Sequence, residues 1–146
     1  MAQHRIEKAI EIAFNAHKGQ LDKAGLPYIL HPLHIMDQVD TENEKVVGVL
    51  HDVVEDSGVT VKDIHEALEY GNDYTVANAL TALTHKKDVD YLIGYISVIR
   101  DNPLARRIKI EDLKHNLEIR RLRTITDKDL ERVRKYKKAL EMLGAV

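Results

Sequence analysis

Apolar residues return every three or four positions along most of this chain, and nowhere do β-branched residues alternate with polar ones over the length of a strand. That spacing restricts the fold to helices packed on helices. Ile6, Ala9, Ile10, Ala13, Phe14 and His17 carry the pattern first and predict a helix over residues 3–18. Seven Gly and three Pro in 146 residues are too few for a loop-rich or all-β protein, and a chain of this length fills one core. The expectation is an all-α fold of about seven to eight helices in a single domain over residues 1–146. With one Phe and no Trp, its core must be built from Leu, Ile, Val, Ala and Tyr.

Punctuation residues divide the pattern. Gly19 to Pro27 reads as a loop, and His31-Pro32 opens a second helix, since Pro is tolerated in a first turn. Thr41-Glu42-Asn43-Glu44 has the capping-box pattern, in which hydroxyl and carboxylate satisfy free amides at a helix start. The helix that follows, Val46 to about Val54, is apolar nearly all round and should be central. Gly58 breaks the chain; Thr60 caps a short helix to about Glu69, and Gly71 ends it. Further helices are expected over residues 73–84 and from Tyr91 to Ile99. Asn102-Pro103 starts another, running to about Arg123, and Thr126 caps the last, through Leu130, Val133, Leu140 and Leu143.

Lys and Arg number 22 and Asp and Glu 24, a formal charge of −2, so no general attraction to nucleic acid is expected. Basic residues nevertheless gather between Arg100 and Lys138, among them Arg106, Arg107, Lys109, Arg120, Arg121 and Arg123. Most suit solvated helix faces; one or two beside acidic residues could receive a substrate's phosphates. The absence of Cys excludes disulfides and thiol catalysis and suits the cytoplasm. No apolar run approaches the roughly 20 residues of a membrane span, and the first residues lack the apolar stretch of a signal peptide. No membrane partner is expected, and nothing specifies the oligomeric state.

Chemistry concentrates at His51-Asp52-Val53-Val54-Glu55-Asp56. A shuffled chain of this composition would hold roughly 0.7 His-Asp pairs but only roughly 0.005 copies of the longer string. One His and three carboxylates at the end of the most apolar helix must be paired or bind metal, because an isolated buried charge is costly. His31 lies in Tyr28-Ile29-Leu30-His31-Pro32. Farther on, Ile108, Asp112 and Asn116 share one helix face, so a carboxylate and an amide point inward with an apolar residue. Alone, a buried hydrogen-bonded Asp–Asn pair would account for them.

Together these stretches resemble the HD superfamily of phosphohydrolases. They are most similar to the hydrolase domain of the RelA/SpoT alarmone enzymes and its small free-standing relatives. The stretches are Ala16-His17-Lys18-Gly19-Gln20, Gly25-Leu26-Pro27-Tyr28-Ile29-Leu30-His31-Pro32, Leu50-His51-Asp52-Val53-Val54-Glu55-Asp56 and Lys109-Ile110-Glu111-Asp112-Leu113-Lys114-His115-Asn116. The resemblance spans about residues 4 to 125. It implies an HD-domain helical bundle with His31, His51, Asp52 and Asp112 as ligands of a divalent metal. The donor set leaves Fe²⁺, Co²⁺ and Zn²⁺ open; the resemblance favours Mn²⁺. It further implies that Glu55 takes a proton from water and Asp56 orients that water. The implied partner is a small-molecule nucleotide, and the reaction is that of a guanosine-3′,5′-bis(diphosphate) 3′-pyrophosphohydrolase.

Lys18 and Lys109 are the candidates for phosphate contacts, Asn116 for the nucleoside and Lys23 for the neighbourhood of the base. The family carries an Arg-Lys pair beside the guanosine where this chain reads Asp22-Lys23, a departure that bears on the choice of base more than on the chemistry. The alternatives are an HD hydrolase of another nucleotide (a 5′-monophosphate, a triphosphate or an adenine alarmone) and a silent nucleotide-binding module. His17 is expected as a packed helix residue and His115 as a supporting group; His4, His34, His65 and His85 read as surface residues.

Overall fold

Thr41 starts the helix around which the rest of the chain packs. In the computed structural model, which describes residues 2–118 and 125–145, its hydroxyl accepts from the Glu44 amide at 3.1 Å and Glu44 Oε1 accepts from the Thr41 amide at 2.9 Å. This is the reciprocal box that the sequence predicts, and it begins α3, Glu42–Leu50. Val46, Val47, Val49 and Leu50 of α3 are wholly buried, each side chain stabilising the fold by about 1.5–3 kcal/mol. On one flank Gly48 lets α2 (Leu30–Asp37) approach closely: a Cβ there would meet Ile35 Cγ2 at 3.4 Å and the Met36 backbone at 3.5 Å.

Around α3 stand α1 (Ala2–Ala16), α2, α6 (Thr75–Leu83) and α8 (Pro103–Asn116). The short helices α4 (Val53–Asp56), α5 (Val61–Ala67) and α7 (Ser97–Arg100) and the last helix, α9 (Asp127–Met142), complete the set. The described residues are all helical in class, with nine α-helical segments and one π-helical segment, or eight and one if α3 and α4 are counted as one interrupted helix. Among the described residues the only extended pairing is an isolated bridge from Leu21 to Pro27, which closes the loop after α1. Arg120, Arg121 and Arg123 lie outside the described residues.

Three boundaries differ from those expected. The central helix does not run unbroken to Val54; it stops at Leu50, turns at His51-Asp52 and resumes at Val53. The His51 ring explains the break: its Nδ1 lies 2.6 Å from the Gly48 carbonyl, which a continuous helix would offer to the Asp52 amide. The helix from Pro103 ends at Asn116, not near Arg123, with the Leu117 amide capped by the Leu113 carbonyl. No Gly or Pro marks that stop in the sequence. The segment Tyr91–Ile96 is π-helical. Asp90 explains it, since its side chain holds the Ile93 amide and its carbonyl accepts from Gly94 and Tyr95 at 3.0 and 2.9 Å.

Candidate active site

The α3–α4 turn delivers two residues at once. His51 Nδ1 donates to the Gly48 carbonyl, which can only accept, and this leaves Nε2 facing the interior. Asp52, next in the turn, places Oδ2 3.0 Å from that Nε2. From the first turn of α2, His31 brings its Nε2 to 2.8 Å from Asp112 Oδ1, and Asp112 rises from the middle of α8. One ligand atom from each of His31, His51, Asp52 and Asp112 lies within 4.8 Å of the others. His31, His51 and Asp112 are buried, each 4% exposed or less. Two imidazoles and two carboxylates converging in this way can bind a divalent metal ion.

The electrostatics agree with that donor set. Burial alone would raise the Asp52 carboxyl, but the His51 imidazole beside it brings it down to about 2. Burial works against Asp112 in the same sense, yet the Lys109 ammonium and the two imidazoles hold it well below the usual carboxylate range. Burial lowers the His51 imidazole, and the two carboxylates more than reverse this, raising it well above its usual value. Two ionised carboxylates thus face cationic partners in a buried space, and a divalent cation there would take the place of the imidazole proton they now hold.

Each of the four has a further partner. The Tyr28 hydroxyl donates to Asp52 Oδ2, and its own pKa is raised by burial and by the Asp52 charge. Lys109 Nζ lies 2.9 Å from Asp112 Oδ2, with the Tyr95 ring 5.1 Å and the Tyr91 ring 5.8 Å away. Asn116 Nδ2 donates to Asp112 Oδ1 at 3.2 Å. His31 Nδ1 meets His115 Nδ1 at 2.7 Å.

Glu55 and Asp56 lie on α4, immediately after the turn. Glu55 Oε1 accepts the His85 backbone amide. Burial raises the Glu55 carboxyl, the His85 amide opposes this, and the Asp52 charge adds to it, leaving it above its ordinary value. Asp56 Oδ2 accepts from Gln20 Nε2 at 3.3 Å, and Gln20 Oε1 pairs with His17 Nδ1 at 2.9 Å. His17 is buried, as a packed helix residue should be.

Beside His31 opens a cavity of about 400 Å³, lined by Gln20, Lys23, Tyr28, Asn116, Arg132 and Tyr136. Lys23 Nζ and Arg132 Nη1 both face Asp129, at 3.7 and 3.3 Å. Asp22 also lines the cavity, but its Oδ1 is engaged by the Ala24 and Leu26 amides, so it fastens its own loop. Lys18 is exposed after α1 and is not part of the cavity wall. Three histidines expected at the surface are half-buried instead. His34 stacks on His115 with centroids 4.0 Å apart, His65 on Tyr74 at 4.7 Å, and His85 leans on Tyr95 at 4.6 Å. Aromatic neighbours distant in sequence cover them, which spacing alone could not reveal.

Sequence reasoning assigned no role to Tyr28, Gln20, Arg132 or Tyr136. Tyr28 stands three residues before His31 and shares its face, so the spacing could have found it. Arg132 and Tyr136 also share a face, at i and i+4, but on a helix that reads as solvated. Only the return of α9 over the cavity gives them a place.

No family model matches the sequence. The chain is 38% identical over 114 residues to a chloroplast protein of Arabidopsis thaliana that bears the name of a GTP diphosphokinase; the match covers 75% of this chain and 12% of that protein. It is 29% identical over 149 residues to a GTP pyrophosphokinase of Streptomyces coelicolor, covering 95% of this chain and 16% of the other. Over 64 residues, 40% of this chain and 9% of the relative, it is 41% identical to a guanosine-3′,5′-bis(diphosphate) 3′-pyrophosphohydrolase of Borreliella burgdorferi. The chain thus spans a small part of the length of these relatives. In fold it is similar to the solved structure of a metazoan SpoT orthologue described as hydrolysing ppGpp. The TM-score there is 0.75 and the identity 20%, over 95% of this chain and 85% of that one. By sequence the chain is a homologue of the RelA/SpoT family, and it shares the all-α fold of the metazoan SpoT orthologue.

Proposed function

We propose that this chain is a divalent-metal-dependent phosphohydrolase that removes the 3′-pyrophosphate from guanosine-3′,5′-bis(diphosphate), with Mn²⁺ as the metal and the cytoplasm as its location. The observation that carries the reading is the convergence of His31, His51, Asp52 and Asp112 within 4.8 Å, beside a cavity roomy enough for a nucleotide. The names of relatives such as that of Borreliella burgdorferi support the choice of substrate.

In this reading His31, His51, Asp52 and Asp112 hold the ion. When bound, it would lower the pKa of water and polarise a phosphoryl oxygen. The chain's residues do the rest. Glu55, its carboxyl raised into a better range for a base, accepts the proton of the attacking water. Asp56, steadied by Gln20, orients that water. The water oxygen bonds to the phosphorus carried by the ribose 3′ oxygen, the P–O3′ bond breaks, and the 3′ oxygen leaves with a proton. The products are pyrophosphate and a nucleoside 5′-diphosphate. Lys23 and Arg132, which share Asp129 at the cavity wall, are the cations that would receive phosphates. Lys109 acts through Asp112, which its ammonium neutralises, and Asn116 spans Asp112 and the nucleoside end of the cavity.

Asp22 favours a second reading for the base alone. An acid stands where the family has its Arg, and its Oδ1 accepts from the Ala24 and Leu26 amides of its own loop. The test is turnover of a panel with Mn²⁺: ppGpp, pppGpp, an adenosine analogue, nucleoside triphosphates and monophosphates, with Asp52→Ala as control. Pyrophosphate from ppGpp by the wild type alone is the expected result. Cleavage of the adenosine analogue instead would keep the chemistry and replace the base; silence across the panel would sink the enzymatic reading.

A further inference from the structure

His31 shares more than its Nε2 with its surroundings. Its Nδ1 lies 2.7 Å from His115 Nδ1, and the two rings are within 8° of parallel with centroids 5.0 Å apart, so they meet edge to edge in nearly one plane. His115 is in turn stacked on His34, 19° from parallel at 4.0 Å. Three imidazoles thus form a chain that begins at the proposed metal centre, edge to edge from His31 to His115 and face to face from His115 to His34, with His34 and His31 on α2 and His115 near the end of α8. The other imidazole of the centre, His51, is fixed differently, by a backbone carbonyl that can only accept.

The chemistry of the 2.7 Å contact has a direction. A neutral imidazole carries one proton, so of two facing nitrogens one donates and the other accepts. If His115 Nδ1 donated, His31 would accept at Nδ1 and carry its proton on Nε2, the atom 2.8 Å from Asp112 Oδ1, and could not ligate a metal there. If His31 Nδ1 donates, its Nε2 lone pair is presented to the cluster. A histidine ligand's outer hydrogen bond sets its tautomer and ring orientation in this way.

We infer that His115 is a positioning residue for the metal centre: its Nδ1 accepts the His31 Nδ1 proton and locks His31 as an Nε2 ligand, while the His34 ring clamps His115 in plane. This rests on the reading of His31 as a metal ligand. It adds a residue that touches neither ion nor substrate and predicts an effect on metal affinity.

The test is Mn²⁺ titration of the full chain, read by the electron paramagnetic resonance of free Mn²⁺, for wild type, His115→Phe and His115→Asn. Phe keeps a ring against His34 and removes the acceptor; the Asn amide oxygen can accept where Nδ1 did. His115→Phe is expected to weaken Mn²⁺ binding about 10- to 100-fold and His115→Asn to retain most of the wild-type affinity. Equal affinity of His115→Phe and wild type would overturn the inference, and so would equal loss in both variants, which would make the effect one of packing. If His115→Phe fails to fold, as read by circular dichroism, the Asn variant decides alone: near-wild-type affinity supports the inference and a loss of tenfold or more overturns it. Wild-type protein that binds no Mn²⁺ would overturn it together with the metal reading. Metal binding with the predicted variant pattern but no turnover of ppGpp would sustain it and discard the substrate alone.

Discussion

The residues of the proposed centre are held in place by partners both near and far in sequence. His51 and Asp52 were legible because the string they open is unusual in a chain of this composition, whereas His31 and Asp112 were singled out by the resemblance. The hydroxyl on Asp52 and the histidine on His31 were not legible, because each comes from elsewhere in the fold, and the ammonium on Asp112, only three residues away, was read instead as a phosphate contact. Lys109 shows the difference: as a residue type it suggested a phosphate contact, whereas the structure sets it 2.9 Å from Asp112 among tyrosine rings. For Glu55 the account makes a definite prediction. Glu55→Gln should lower kcat by roughly 10²–10⁴-fold, with Mn²⁺ affinity measured by titration unchanged. A base works only when ionised, and burial raises this carboxyl. The wild-type rate should therefore rise with pH across a window above the ordinary Glu range, and that limb should flatten in Glu55→Gln. A pH–rate profile identical in both would remove Glu55 from the mechanism.

Among the elements, capping was read well and interruption poorly. The Thr41, Thr60 and Thr126 boxes all form, because a cap is a local matter of side chain and amide. The break at His51 and the π-helical segment were missed, because each follows from a hydrogen bond whose partner depends on the folded backbone. Thr41→Ala should destabilise the protein by about 1 kcal/mol, measurable by urea unfolding. The Thr41 amide, which bonds the Glu44 carboxylate, holds that group below its usual range. A depressed folded-state pKa stabilises at pH above the ordinary Glu value and loses that contribution as pH falls through the lowered one. The unfolding midpoint should decline with acid over that window, and Glu44→Gln should reduce the decline. In the π-helical segment, a Cβ at Gly94 would meet Val89 Cγ1 at 2.4 Å, a stiff branched side chain. Gly94→Ala should therefore cost about 1–3 kcal/mol, with Val89→Ala recovering part of it in a double-mutant cycle. Additive effects would place the strain elsewhere.

At the scale of the whole molecule, the proposed ligands come from α2, from the turn between α3 and α4, and from α8, helices that pack on one another. The all-α class followed from apolar spacing alone, whereas the way α9 returns to wall the cavity did not, since a solvated helix carries no address in its own pattern. An ion bound at that junction ties three elements together and binds the folded state only. Mn²⁺ at 100 times its dissociation constant should stabilise the protein by about 2.7 kcal/mol. The resulting rise in Tm should be reversed by chelator and absent in Asp52→Ala. The central claim is hydrolysis at the 3′ phosphorus, and it is tested most directly by mass spectrometry of the products from ppGpp and Mn²⁺ in ¹⁸O-labelled water. One ¹⁸O in pyrophosphate and none in GDP, with no products after chelation, is the predicted result; label in GDP, or release of single phosphates instead of pyrophosphate, would contradict it.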